Sequence, residues 1–202
     1  MATSDTLAFS ELVQPTLLQV PQCPEAVAIV ALRQAIRDFY RDTGVWLEDL
    51  QPIMILEDLK SYRVVEPRDW VIIEALQELR IDPDRMRGFN WVFELPDTLT
   101  ITSETPKDET ILTPRARLNL TFSGNKVLSM HADRWAHVWE HGALWYLRQQ
   151  GGQPWYNLED GEYHRNQFRM AINQVKNQMQ RDFTGRDLRA KPHPFIFGGR
   201  IR

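Results

Sequence analysis

The stretch from His131 to Phe183 constrains this chain most. It reads HADRWAHVWEHGALWYLRQQGGQPWYNLEDGEYHRNQFRMAINQVKNQMQRDF. The pattern predicts two long amphipathic helices joined by a tight Gly-Gly-Gln-Pro turn. In the first, Trp135, Val138, Trp139, Gly142 and Tyr146 recur at helical spacing. At roughly 100° per residue they share one face. In the second, Phe168, Ala171, Ile172, Val175, Met179 and Phe183 do the same. So short a connection sets the helices antiparallel, with their apolar faces buried against each other. Gly142, opposite bulky neighbours, permits a close approach. Core packing is the ordinary meaning of such a stripe.

A third long helix is expected earlier. Pro24 suits a first helical turn, and Glu25 sits favourably near its positive end. Ala28, Leu32, Ala35, Ile36 and Phe39 form its apolar stripe, with Arg33, Arg37 and Arg41 on the far side. Asp42-Thr43-Gly44 stops it, Gly44 serving as the C-terminal cap. Residues 1–22, with weak periodicity and two prolines (Pro15 and Pro21), are expected to be a loose or partner-bound arm.

From Val45 to Gly124 the chain changes character. Ile53–Leu56, Tyr62–Val65, Trp91–Leu95, Thr98–Thr102 and Ala116–Phe122 read as strands. Trp70–Leu76 fits a strand or a short helix equally well. Glu104–Thr110 is polar and reads as a loop or hairpin tip. Six prolines punctuate the region. The expectation is a small antiparallel sheet inserted between the first helix and the later pair.

After Phe183, Thr184-Gly185 ends the last helix. The tail RDLRAKPHPFIFGGRIR carries five basic residues (Arg186, Arg189, Lys191, Arg200 and Arg202) against Asp187 alone. Pro192 and Pro194 forbid a helix there. Phe195-Ile196-Phe197 is strongly apolar and cannot build a core within so short a segment. It either folds back on its own domain or docks on another chain.

Composition narrows the class. The 202 residues suffice for one large domain or two small ones. The net charge of −3 gives no global pull toward nucleic acid or anionic membrane. Cys23 is the single cysteine, so no internal disulfide forms, which fits a reducing compartment. No apolar run approaches the ~18 residues that a membrane span needs. The opening MATSDTLAFSELVQ lacks a basic region and a compact apolar core, so no signal peptide is expected. Seven scattered tryptophans suggest several packing sites and an interface.

The order of these elements resembles the head-to-tail connector proteins of tailed bacteriophages, also called adaptor or head-completion proteins. Cys23-Pro24-Glu25 leads into AIVALRQAIRDFYRDTGVWLEDL, with Phe39, Arg41, Thr43 and Trp46 at the helix exit. Ser61–Pro67 follows, then Gly142-Ala143-Leu144, Pro154-Trp155, Tyr163 and Phe168. The resemblance spans residues 23–183, and the long, proline-rich β region departs from the family pattern. It implies a non-enzymatic virion protein without cofactor: a wedge in a closed ring of about twelve copies under the portal. Its partners are the portal protein, a tail or nozzle protein, and further copies of itself. Genomic DNA passes through the channel without specific binding, and no membrane is involved. The implied location is the virion neck, after assembly in the host cytoplasm. Residues 186–202 become the portal-docking arm, with Phe195, Ile196 and Phe197 as anchors and the flanking Arg186, Arg189, Lys191, Arg200 and Arg202 orienting it.

Two chemical readings compete. His137-Val138-Trp139-Glu140-His141 is an H-x-x-E-H string, the inverted zinc-protease motif. Histidines four apart on a helix point the same way, as zinc requires. Glu140 would be the general base of a metallohydrolase. The third ligand would come from Glu159, Asp160, Glu162, His164, Asp182 or Asp187. Against this, both histidines lie nearly opposite the Trp135/Trp139/Tyr146 stripe, on a more polar face. The second alternative is nucleic-acid binding, the basic tail contacting phosphates and its phenylalanines stacking on bases. His131, His164 and His193 read as isolated surface or capping residues. Asn119-Leu120-Thr121 matches a glycosylation triplet, which carries no weight without a secretory signal. No Walker loop, G-x-S-x-G or CxxC is present.

The expected fold is therefore α+β: an antiparallel helical bundle of three long helices with an inserted β-rich region and an extended C-terminal arm. The divisions are an N-terminal arm (1–22), a bundle (23–44 with 125–185), the insertion (45–124) and the docking arm (186–202). The bundle core is assigned to Leu32, Ile36, Phe39, Trp135, Trp139, Tyr146, Phe168, Ile172, Val175 and Met179.

Overall fold

The computed structural model describes residues 6–56, 59–81, 90–102 and 110–184. The chain runs β1 (Thr6–Ala8), α1 (Phe9–Leu12), α2 (Gln14–Gln19), α3 (Glu25–Thr43), β2 (Leu47–Asp49), β3 (Ile53–Met54), β4 (Ser61–Arg63) and β5 (Val71–Ile81). It continues through β6 (Trp91–Glu94), β7 (Thr98–Ile101), β8 (Ile111–Leu120), β9 (Lys126–Leu128), α4 (Ser129–Arg148) and α5 (Leu158–Thr184). No helix among the described residues is long and apolar enough to cross a membrane.

Local chemistry sets the helix ends. Gly44 takes a left-handed conformation (φ 62°) and returns its N–H to the Tyr40 carbonyl, closing α3. Thr43 adds a hydroxyl bond to the Phe39 carbonyl at 2.6 Å. Gly152 also takes a positive φ, 78°, in the turn after α4. There Asn157 N–H bonds the Arg148 carbonyl (3.0 Å), and the Asn157 side chain accepts from Asp160 N–H (3.2 Å) to start α5.

The sheets centre on β8. One of its edges pairs with β2 (Leu47↔Arg117) and then β3 (Ile53↔Leu112). The other pairs with β5 from Val71↔Leu120 to Ile81↔Leu112. Two register shifts interrupt β5, between Ile73 and Ala75 and between Leu76 and Glu78. Pro114 of β8 lacks a donor but gives its carbonyl to Leu50 N–H at 2.8 Å, between β2 and β3 on the opposite edge. A second antiparallel sheet has the order β4-β7-β6, and a third pairs β1 with β9.

This overturns the expected architecture. The molecule is α+β, yet it is not a bundle of three long helices carrying an insertion. Among the described residues there are nine strands in three antiparallel sheets, and the helices share one core with them. Leu32, Ile36 and Phe39 of α3, Trp139 and Leu144 of α4 and Phe168 of α5 pack with Val71 and Ile73 of β5 and Leu118 and Leu120 of β8. The physical reason is that β5 and β8 are long enough to offer the helices a full apolar face. A small second cluster (Ile55, Tyr62, Ile101 and Leu112) lies apart from it.

Residues 6–22 also differ from expectation. They form β1, α1 and α2, and they bury Phe9, Val13, Thr16 and Val20 to 1% exposure or less. Pro15 sits in the first turn of α2, where the missing N–H costs nothing. The expected hairpin tip lies mostly, and the arm after Gly185 wholly, outside the described residues.

Candidate functional site

α3 and α4 meet over an aromatic floor. Phe39 lies 5.3 Å from Trp135 and 6.1 Å from Trp139 between ring centroids. His131, in the first turn of α4, joins the group, 4.9 Å from Trp135. Its Nδ1 bonds the Tyr40 hydroxyl at 2.9 Å. β9 enters the core through Val127 and Leu128 and carries the first turn of α4 in with it. His131 is therefore interior, not the surface or capping residue expected. Burial lowers its pKa to about 4, so at neutral pH it is an uncharged packing group. Burial likewise raises the Tyr40 phenol well above its usual range.

The H-x-x-E-H string does not converge. His137 is exposed. Glu140 accepts a hydrogen bond from the Gln19 amide at 2.7 Å. His141 turns its Nδ1 to the Nδ1 of His164, 2.7 Å away on α5. His164 is buried, again unlike the expected surface position, and Asp160 stands 3.6 Å from its Nε2. Asp160 is also tied to Arg148 at 2.7 Å. Among the described residues, no group of three or more His, Cys, Asp or Glu is arranged to hold a metal. The side chain of Asp182, and Asp187, lie outside them.

A polar network unread in the sequence joins the helices to the sheet. Asp38, buried on α3, takes the Tyr146 hydroxyl, the Gln34 amide (3.1 Å) and the Arg41 guanidinium (2.6 Å). Burial, then the Asp38 hydrogen bond, push the Tyr146 pKa upward. Buried Asn119 donates to Glu74 (2.5 Å) and to the Arg37 carbonyl (3.1 Å). Beside this network lies an open cavity of about 410 Å³. Its lining includes Asp42, Gly44, Gln77, Arg117, Lys176 and Met179, with both signs of charge and, among the described residues, no histidine or cysteine. The hydrophobic spacing at Asn119 gave no hint of the network, because its members come from separate elements.

Of the assigned core positions, Leu32, Ile36, Phe39, Trp135, Trp139, Phe168 and Ile172 are buried. Tyr146 and Val175 pack partly buried against the same core. Met179 lines the cavity. The arm residues Arg186, Arg189, Lys191, Phe195, Ile196, Phe197, Arg200 and Arg202 lie outside the described residues.

Apolar side chains face outward on the strands and on α5. Met54 and Ile111 are direct cross-strand partners on β3 and β8, 57% and 46% exposed, with Leu56 just beyond at 50%. On α5, Tyr163 and Met170, two turns apart, are 55% and 56% exposed. Contiguous apolar side chains left in water mark contact surfaces more often than isolated ones do. No protein-family model matches the chain, and no curated protein matches it.

Proposed function

We propose that this chain is a structural subunit of a phage virion, one copy in a ring that joins the capsid portal to the tail and continues the DNA channel. The ordered residues from Cys23 to Phe183 that resemble the connector proteins support this reading. The observation that carries it in the fold is the outward apolar surface of Met54 and Ile111 on the strands, with Tyr163 and Met170 also exposed on α5. A subunit with neighbours on more than one side needs such surfaces, since association is driven by removing apolar area from water. The basic arm after α5, with Phe195, Ile196 and Phe197, is the portal-docking element on this reading.

Deletion of residues 190–202 tests it. The truncated chain should fold with an unchanged circular dichroism spectrum but fail to attach to portal-bearing heads. Attachment equal to that of the full chain would reject the docking assignment.

A further inference from the structure

We infer that the contact between α4 and α5 is a proton-operated joint: the His141–His164 pair holds the helices together while at least one imidazole is neutral and releases them when both are charged. The two Nδ1 atoms lie 2.7 Å apart, so one nitrogen must carry the hydrogen and the other must accept it. His164 is only 5% exposed, and water cannot readily replace the bond. The pair also sits where four segments meet. Glu140 holds α2 through Gln19. Arg148 holds the Gln19 carbonyl and the Trp155 carbonyl, each at 3.1 Å, as well as Asp160.

The charged and titratable groups around the pair are few. From α4 come His137, Glu140 and Arg148; from α5 come Asp160 and the Tyr163 ring. Neither α2 nor the turn 149–157 carries a charged side chain. A first proton leaves a charged donor facing a neutral acceptor, with Asp160 beside His164, and the bond survives. A second proton leaves two donors and two like charges in contact. Glu140 and Asp160 act against this, raising the two histidines, but burial outweighs them at both.

The direction of the pH effect follows. Burial is the largest influence on both histidines and lowers both below the ordinary value of 6.5. The unfolded chain therefore takes up protons first as pH falls. The joint is intact above about pH 6.5 and weakens as pH drops from there through the folded-state values.

Hydrogen exchange on the full chain, without any partner, tests this. Between about pH 7.5 and about pH 5.5, after correction for intrinsic rates, α5 amides should lose about tenfold in protection relative to α3 amides. His141→Gln, which keeps a hydrogen-bonding amide but cannot charge, should abolish the step. His164→Gln gives the same reading if the first variant fails to fold. Equal loss in α3 and α5, no loss in either, or a step that persists in the variants would overturn the inference. Because no portal is involved, that outcome leaves the connector reading untouched.

Discussion

His131 shows how a single side chain here trades solubility for packing. Its imidazole is enclosed by Trp46, Trp135 and Tyr40, and burial holds it neutral, with a pKa of about 4. A depressed folded-state value means the unfolded chain binds the proton more tightly. Stability from this group is complete above about pH 6.5 and is lost as pH falls toward 4, by about 3 kcal/mol in all. Urea denaturation at a series of pH values should show that loss, and His131→Gln should flatten the part of it due to this residue. An identical pH slope in the variant contradicts the assignment. The signal was present in the sequence, since His131 precedes Trp135, Trp139 and Gly142 on the same helical face. His164 likewise precedes Phe168, Ile172 and Val175 at helical spacing. Isolated in sequence, both suggest a surface or capping position, which hydrogen-bond partners on other elements override.

At the scale of elements, the close approach of three helices is set by a missing side chain. A Cβ on Gly142 would lie 2.7 Å from the Ala35 Cβ and 3.0 Å from a Phe168 ring carbon, so α3, α4 and α5 meet there without room for a methyl group. Overpacking costs about 1–3 kcal/mol, against a gain of up to about 1 kcal/mol in helix propensity. Gly142→Ala should therefore lower the free energy of unfolding by about 1–2 kcal/mol in urea titration. A variant as stable as the parent would show that the helices can part. The three long helices were legible because each is long enough to repeat its apolar period several times. The cap at Gly44 was legible for the same local reason. α1 and α2 were not, although Phe9, Val13, Thr16 and Val20 follow helical spacing. A junction at Val13 splits that stripe, and Pro15 reads as a breaker when it is in fact an allowed first-turn residue. The length of β5 and β8 was hidden by register shifts and by Pro114, whose tolerance depends on its neighbours in the sheet.

For the molecule as a whole, the sheet and the helices stand or fall together, because β5 and β8 supply one wall of the core that α3, α4 and α5 complete. Local patterns could not reveal this. Periodicity shows that a segment has an apolar face but not which partner covers it. The same limit applies to the site: the H-x-x-E-H string was visible, but its divergence depends on Gln19 and His164, far away in sequence. The exposed apolar side chains, Met54, Ile111, Tyr163 and Met170 among them, support the proposal of a chain built to meet neighbours. Size-exclusion chromatography with light scattering, run with and without phage portal assemblies, tests that proposal most directly. With portal present, the mass should rise by about a dozen copies of this chain, consistent with a closed ring. A chain that elutes at its own mass, unchanged by portal, contradicts the account.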